Sequence, residues 1–256
     1  MKDISLNKYI TFNQGNIPLI LSVPHGGGLK DHVIPDRING IFGIDLKTIE
    51  LAYEFIEYIE NYSNKICNSI KTPSYLISLI HRMKIDFNRD ELNGFNQKSN
   101  LAKKIFSFYH QKITEFISFN LKTYNSSLLI DIHGFEKNKR PEGYRDVDLV
   151  LGSNNLGSIY TSPIPKKLFG KSIRGKIIKA FNKRGLLIAP GHHLRKEYVL
   201  TGGYITTKYG ASKIPNSQSI QIEFSDKIRL YDHSLRKIVL ETLTQIVFDE
   251  YILKYI

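Results

Sequence analysis

The sequence has little cysteine and no long run of apolar residues. Cys67 is the only cysteine among the 256 residues, which excludes an intramolecular disulfide and any metal site built from several cysteines. A metal ion would therefore have to be held by histidines and carboxylates. No uninterrupted apolar stretch approaches the ~20 residues that span a membrane, and the N-terminal segment lacks the apolar run of a signal peptide. We expect a cytoplasmic protein that does not bind a membrane.

Positive charge exceeds negative charge in this chain. There are 36 lysines and arginines against 24 aspartates and glutamates, which makes the net charge +12. Such a surplus suits nucleic acid, an acidic membrane surface or an anionic small substrate. The lysines are scattered and form no basic block, and AT-biased coding also enriches a sequence in Lys, Ile and Asn. We therefore favour a small anionic substrate and expect no nucleic-acid partner.

Apolar segments alternate with amphipathic segments along the chain. The pattern predicts strands over 17–23, 75–80, 127–132, 147–151, 186–189 and 220–224. Helices are predicted from residue 45 onward and over 101–119, 167–183 and 234–251. Because strands and helices alternate, we expect a mixed, mostly parallel sheet with helices on both faces. The sequence has no internal repeat or linker, so we expect residues 1–256 to form a single α/β domain.

Three predicted strands end in residues that can bind a metal ion or transfer a proton. His25 follows SVP, His133 follows DI, and Glu223 follows QI. In an open α/β sheet, ligands bind beyond the carboxyl ends of the strands. One histidine at such a place is usually structural. Two of them with flanking glycines, which let backbone and ligand approach closely, favour a metal site.

A catalytic zinc ion needs three protein ligands and one position open to water. His25 and His133 supply two of these ligands. Asp45 is the predicted third ligand, because it starts a helix after the glycine-rich loop and can point back toward the site. Its alternative role is a helix N-cap. Asp31 and His32 lie nearer to His25 in sequence and are competing ligands.

Two further carboxylates accompany the predicted zinc site. Asp131 lies two residues before His133 on the same strand face. It either orients an imidazole through a hydrogen bond or is a buried residue bonded to backbone. Glu223 is the predicted general base, because partial burial at a strand end raises the pKa of a carboxyl group toward the working range. Its alternative is a glutamate on a half-exposed edge strand.

The segment HRMKIDFNRDE after the second strand contains candidate substrate-binding groups. Asn88 and Arg89 are adjacent, and a guanidinium beside an amide can hold a carboxylate by paired hydrogen bonds. Arg82 is predicted either to do the same or to polarise the scissile carbonyl. A charged run of this kind is alternatively a solvated surface.

Five segments in this order resemble the N-formylglutamate amidohydrolase family, relatives of the zinc carboxypeptidases. They are SVPHGG from residue 22, RMKIDFNRD from residue 82, LLIDIHG from residue 128, TGGYITTKYG at 201–210 and SIQIEFS at 219–225. They are spread from residue 22 to residue 225, so the resemblance extends over most of the chain. The resemblance implies a mononuclear zinc enzyme with a phosphorylase/hydrolase-like, zinc carboxypeptidase-like α/β fold.

The same resemblance implies roles for individual residues. By position, His25 and His133 match zinc ligands, the acidic ligand between them is Asp45, and Glu223 matches the catalytic glutamate. The residues implied to contact substrate are Asn88 and Arg89, which match the pair that grips its carboxylate, and Gly202, Gly203 and Tyr204. The compact H-x-x-E ligand pair of carboxypeptidases is missing from this chain. The resemblance therefore supports Asp45 as the third ligand less directly than it supports the two histidines.

The chain departs from the family pattern beside both histidines. Three glycines follow His25 where the family has a serine-glycine-arginine run, and Gly134 and Phe135 follow His133 in place of serine. These positions affect the substrate pocket more than the metal. We therefore expect hydrolysis of an N-acyl amide, which includes N-formyl, of an acidic amino acid such as N-formylglutamate. The alternatives are a zinc carboxypeptidase or γ-glutamyl hydrolase acting on a peptide or polymer, a basic nucleic-acid-binding protein, and a non-catalytic binding protein on the same fold.

Overall fold

The computed structural model describes residues 6–140, 142 and 144–255. Within these residues seven strands form one sheet: β1 (Ile10–Asn13), β2 (Leu19–Val23), β3 (Ser74–Ser78), β4 (Ser127–Phe135), β5 (Leu149–Gly152), β6 (Ile188–Ala189) and β7 (Ser217–Ser225). The α-helices are α1 (Thr48–Cys67), α2 (Glu91–Gly94), α3 (Asn100–Tyr124), α4 (Ile173–Lys183), α5 (Tyr204–Tyr209) and α6 (His233–Val247). No helix in these ranges has the length and apolar character needed to cross a bilayer.

The sheet is mixed and mostly parallel, as predicted. Its strand order is β1-β3-β2-β4-β7-β5-β6. Strand β1 is antiparallel to β3, and β5 is antiparallel to β7. The remaining neighbours pair in parallel. The carboxyl ends of β2, β4 and β7 therefore meet at one edge in the middle of the sheet, where the three predicted strand-end residues lie.

Helices cover both faces of the sheet, which confirms the predicted fold class. Side chains of a strand alternate between its faces. Accordingly, Leu128, Ile130 and Ile132 of β4 pack in one core cluster with residues of α1, α4 and α6. Leu129, between them, packs on the other face with residues of α3 and α5. Burial on both faces explains why the central strands are almost continuously apolar.

The predicted element pattern missed strand β1 and the short helices α2 and α5, and it began one helix too early. Strand β1 was not predicted, because this short edge strand is only partly buried and its four residues lack a clear alternation. The helix predicted over 167–183 begins only at Ile173, after a 3-10 turn over Lys166–Lys171. Ser172 separates the two, because its side chain accepts a hydrogen bond from Gly175 N–H and caps α4.

Candidate metal centre

His25, Asp45 and His133 bring three ligand atoms together at the carboxyl ends of β2 and β4. The Nδ1 atoms of the two histidines lie 3.0 Å apart. Asp45 Oδ2 lies 3.5 Å from Nδ1 of His25 and 3.3 Å from Nδ1 of His133. All three residues are buried. The structure therefore contains a buried group of three side chains that is suited to hold a metal ion.

The hydrogen bonds on the far side of each imidazole support a cation between these residues. Nε2 of His25 lies 2.6 Å from Asp86 Oδ1, and Nε2 of His133 lies 2.8 Å from Asp131 Oδ2. An ionised carboxylate only accepts hydrogen bonds, so a neutral ring placed here has its proton on Nε2 and a lone pair on Nδ1. Two lone pairs and a carboxylate then converge, and they repel one another unless a cation lies between them.

The spacing of the three ligand atoms also fits a tetrahedral metal site. Ligand atoms about 2.0–2.1 Å from a zinc ion at tetrahedral angles lie about 3.3 Å from one another. The observed separations are 3.0, 3.3 and 3.5 Å. A set of two imidazoles and one carboxylate leaves a fourth position open, as in catalytic zinc sites.

Asp45 does not cap the helix that follows it. The N-cap of α1 is Lys47, which makes no side-chain capping bond. The Asp45 carboxylate instead accepts a hydrogen bond from Gly134 N–H at 3.1 Å, and Asp45 N–H donates to His25 O at 2.9 Å. These bonds connect the loop before α1 to both histidine-bearing strands and direct Asp45 into the site.

The two competing ligands lie outside this group. Asp31 accepts hydrogen bonds from Lys8 Nζ at 2.8 Å and from Tyr9 OH at 2.9 Å, which hold the pKa of the Asp31 carboxyl well below its usual range. The side chain of His32 is 96% exposed. Both residues are near His25 in sequence, but Asp31 is bound by Lys8 and Tyr9 and His32 faces solvent.

Asp86, which sequence reasoning did not single out, is the carboxylate that orients His25. It is fully buried and also accepts hydrogen bonds from Arg82 Nε and Asn88 N–H, both at 2.9 Å. Burial opposes its ionisation, but His25 and Arg82 outweigh burial and hold the pKa of Asp86 well below its ordinary value. The sequence feature that could have indicated this role is the acidic residue inside the motif RMKIDFNRD.

Asp131 orients His133 in the same way, and it is supported by a buried hydrogen-bond chain. The Ser22 hydroxyl donates to Asp131 Oδ1 at 2.8 Å, and Tyr109 OH lies 2.9 Å from Ser22 Oγ. Strands β2 and β4 and helix α3 each contribute one of these residues. Residues of three elements therefore fix the position of the carboxylate that is hydrogen-bonded to His133.

The charges of the centre shift the pKa values of its ionisable groups. Burial raises the pKa of Asp45, but hydrogen bonds to His133 and His25 outweigh it and hold that pKa well below the ordinary value. Burial lowers the pKa of His133, yet Asp131 and Asp45 raise it well above the ordinary value. The surroundings thus favour a positive charge between the ligands, which a proton or a metal ion can supply.

Glu223 lies beside the three ligands on β7. The register of the parallel pair β4 and β7 places Glu223 directly opposite His133. The amide of Gln221 donates to Glu223 Oε1 at 2.9 Å and fixes the orientation of the carboxylate. Burial raises the pKa of Glu223, and the negative charge of Asp45 raises it further against the opposing effect of His133. These conditions suit a group that accepts and returns a proton.

The predicted substrate-binding residues have different environments. Asn88 is buried, with its Oδ1 accepting from Ile205 N–H at 2.9 Å and its Nδ2 3.2 Å from His133 Nε2. The Arg89 side chain is 42% exposed and lines the same cavity as the ligands. Arg82 also lines the cavity, with a terminal nitrogen 3.9 Å from Asp45 Oδ1. Arg89 is therefore the more accessible cation and Arg82 the one nearer to the ligands.

The glycine-rich segment forms another part of the cavity wall. Gly202 has a φ of +106°, a backbone conformation that favours glycine. Gly203 N–H donates to Gln221 Oε1 at 2.6 Å, and a Cβ at this position would overlap the Asn88 side chain. Both glycines line the cavity. Tyr204 begins α5, and its ring contacts His110 at a centroid distance of 5.6 Å.

A cavity of about 860 Å³ opens above the three ligands. Its wall contains His25, Asp45 and His133, together with Glu223 and the arginines at positions 82 and 89. The cavity wall therefore brings together imidazole, carboxylate and guanidinium groups. It has the size of pockets that bind small organic molecules, about 300–1,000 Å³.

Comparison with known proteins identifies the fold. No protein-family model matches the chain, and no curated protein matches it in sequence. The solved structure of N-formylglutamate amidohydrolase from Ralstonia eutropha aligns over 96% of this chain and 98% of its own, with a TM-score of 0.63 and 14% identity. A gene product of Agrobacterium tumefaciens aligns over 94% and 95%, with a TM-score of 0.56 and 10% identity. A bacteriophage poly-gamma-glutamate hydrolase gives a TM-score of 0.49 at 13% identity over 94% and 87%.

At these identities the likeness concerns the fold. It confirms the structural resemblance that the five sequence segments indicated. The chain has the zinc carboxypeptidase-like α/β fold that is seen in N-formylglutamate amidohydrolase.

Proposed function

We propose that this protein is a zinc-dependent amidohydrolase that cleaves the N-acyl amide of an acidic amino acid, such as N-formylglutamate. One observation carries the proposal. The Nδ1 atoms of His25 and His133 and a carboxylate oxygen of Asp45 converge within 3.5 Å at the base of a large cavity. Each imidazole is held by a buried carboxylate on its far side, the arrangement found for histidines that ligate metals.

Zinc is the metal that this donor set fits best. Two imidazole nitrogens and one carboxylate oxygen, with a fourth position open, are typical of catalytic zinc in hydrolases. A zinc ion held by His25, Asp45 and His133 would supply Lewis acidity toward a carbonyl oxygen and toward water.

The chain's own residues would supply the remaining steps. Glu223 accepts a proton from the attacking water and returns it to the departing nitrogen. Arg82 stabilises negative charge on the former carbonyl oxygen. Arg89, beside Asn88, binds the carboxylate of the amino acid by charge-assisted hydrogen bonds. Water adds to the acyl carbon and the C–N bond breaks, so the products are a carboxylic acid and a free amino acid.

Metal analysis tests the first part of the proposal. Purified protein should contain about one zinc ion per chain, and His133→Gln should lose it. The control His32→Gln replaces an exposed histidine outside the group and should keep the metal. If the wild-type protein carries no zinc and is not activated by added zinc, the proposal is wrong.

Glu223→Gln tests the catalytic role separately from metal binding. The variant should retain zinc but lose turnover by at least about 10²-fold, since a general base contributes 10²–10⁴-fold. Because Gln is nearly isosteric, the contact with Gln221 can be kept by an amide rotation. Turnover near the wild-type level would remove Glu223 from this role.

A second candidate function is a zinc carboxypeptidase or γ-glutamyl hydrolase acting on a peptide or polymer. The cavity of about 860 Å³ favours it, because this volume has room for a chain longer than one amino acid. Assays with N-formyl-L-glutamate, C-terminal dipeptides and γ-glutamyl oligomers separate the two functions. The proposed function predicts cleavage of the acylated amino acid in preference to the peptides and oligomers.

A further inference from the structure

Five aliphatic side chains line part of the cavity. Ile41, Ile44 and Leu46 come from the loop before α1, and Val199 and Leu200 come from the loop before Gly202. We call these five residues the apolar mouth. The two loops are far apart in sequence, and both face the cavity that contains the three ligand residues.

Three of the five side chains of the apolar mouth are exposed although they are aliphatic. Ile41, Leu46 and Val199 are 60%, 48% and 45% exposed. Single exposed aliphatic residues are common on protein surfaces. Here five aliphatic side chains from two loops line one cavity, and a lining of this kind suits the burial of an apolar part of a ligand.

Charged side chains line the same cavity, among them Arg82 and Arg89 and, from the segment after β4, Glu136, Lys139 and Arg140. Arg82 is buried and lies 3.9 Å from Asp45, and Arg89 follows the buried Asn88. A ligand that contacts both the cations and the aliphatic side chains carries a carboxylate and an apolar group. A formyl group has no methylene with which to contact the aliphatic side chains.

We infer that the site takes an N-acyl acidic amino acid whose acyl group is a large aliphatic or aromatic one that lies in the apolar mouth. This inference rests on the proposed function and specifies its substrate class. Water adds to the acyl carbon, the C–N bond breaks, and the nitrogen takes a proton. The products are a fatty or aromatic carboxylic acid and an acidic amino acid.

Rates for a series of substrates test the inference. The zinc-loaded protein is assayed with N-formyl-, N-acetyl-, N-hexanoyl- and N-benzoyl-L-glutamate. The value of kcat/KM for the hexanoyl and benzoyl compounds should exceed that for the formyl compound by at least about tenfold, since each buried methylene contributes about fourfold. A formyl compound that is cleaved as well or better overturns the inference and leaves the proposed function intact.

Variants connect the preference to the apolar mouth. Ile41→Ser and Val199→Ser change one exposed residue in each loop and should lower the ratio of kcat/KM between the hexanoyl and formyl compounds several-fold. Ile70→Ser is the matched control, because Ile70 is equally exposed at 58% but lies away from the cavity lining. It should keep the wild-type ratio. Equal ratios in all three variants would contradict the assignment of the acyl group to this mouth.

A binding measurement decides the case in which no compound is cleaved. Absence of cleavage counts against the proposed function. The inference is then tested by calorimetric titration of the zinc-loaded Glu223→Gln variant. Binding of N-hexanoyl-L-glutamate at least about tenfold tighter than N-formyl-L-glutamate, with a more negative heat-capacity change, supports it. Equal affinities and equal heat-capacity changes overturn it.

Discussion

Arg229 packs directly over Gly134 and takes the space that a Cβ atom at position 134 would occupy. Its Nε donates to Phe224 O at 3.0 Å, and its two terminal nitrogens donate to Phe135 O at 3.1 Å and to Leu46 O. The guanidinium is fully buried. One cation therefore ties together three backbone segments that are distant in sequence.

Each of these segments carries a residue of the proposed centre. Leu46 follows Asp45, Phe224 follows Glu223, and the β4 segment contains His133. The glycine after His133, at which this chain departs from the family pattern, is thus required by the arginine above it. This relationship gives a physical reason for the departure.

Gly134→Ala should weaken metal binding. The added methyl group has to displace the Arg229 guanidinium, and overpacking of this kind costs about 1–3 kcal/mol of folding free energy. Zinc affinity measured by competition with a chelator should fall at the same time. Gly28→Ala is the control, since a Cβ there meets no neighbouring atom within 4 Å. Unchanged zinc affinity in Gly134→Ala would show that the contacts of Arg229 do not position the metal ligands.

Arg229→Lys should alter the metal centre while Arg174→Lys should not. Lysine cannot reproduce the planar fork that reaches three carbonyls, so we expect a loss of about 2 kcal/mol in unfolding free energy. Arg174 is an equally buried arginine that donates to His193 O and Arg195 O away from the cavity lining. The visible spectrum of cobalt-substituted protein reports ligand geometry. It should shift in Arg229→Lys only, and identical spectra would contradict the prediction.

Asp131→Asn should lower zinc affinity by about 10–100-fold, the usual cost of removing a hydrogen-bond partner of a metal-ligating histidine. The carboxylate oxygen 2.8 Å from His133 Nε2 is replaced by a group that no longer favours the proton on that nitrogen. Chelator competition measures the affinity. Asp36→Asn, which changes an aspartate paired with Lys84, should leave it unchanged. An equal effect of both substitutions would contradict the role given to Asp131.

His110 should make the metal-free protein less stable in mild acid. Burial, with a smaller effect of Lys208, lowers the pKa of His110 to about 3 from its ordinary 6.5. Tyr209 OH lies 2.9 Å from its Nδ1, and Tyr204 packs against the ring. Between pH 3 and 6.5 the unfolded chain therefore binds a proton that the folded chain does not, so stability falls as the pH falls below 6.5.

The expected size of this effect is about 2 kcal/mol between pH 7 and pH 5. Urea unfolding with a chelator present measures the unfolding free energy at both pH values. The difference between the two values should be smaller by this amount in His110→Gln than in the wild type. The control His192→Gln changes an exposed histidine and should keep the wild-type difference. Equal pH dependence in both variants and the wild type would mean that His110 is not held neutral.

Much of the fold follows from the sequence because its strands are buried on both faces. The runs around Leu21, Ile130 and Ile222 are almost continuously apolar, and this pattern, alternating with amphipathic helices, defines a parallel sheet with two helical layers. The resemblance of five short segments pointed to the same fold. Strand β1 escaped prediction because a half-exposed edge strand carries no comparable pattern.

The sequence by itself determined which strand ends carry imidazole and carboxylate side chains, since His25, His133 and Glu223 each follow an apolar run. Only the tertiary structure decided which acidic residue joins them. Asp31 is nearer to His25 along the chain, but Lys8 and Tyr9 bind it elsewhere, whereas Asp45 is brought between the histidines by hydrogen bonds to the backbone of both segments. The tertiary structure likewise decided the partners of Asp86 and Arg229, because partners distant in sequence are brought together by packing rather than by local pattern.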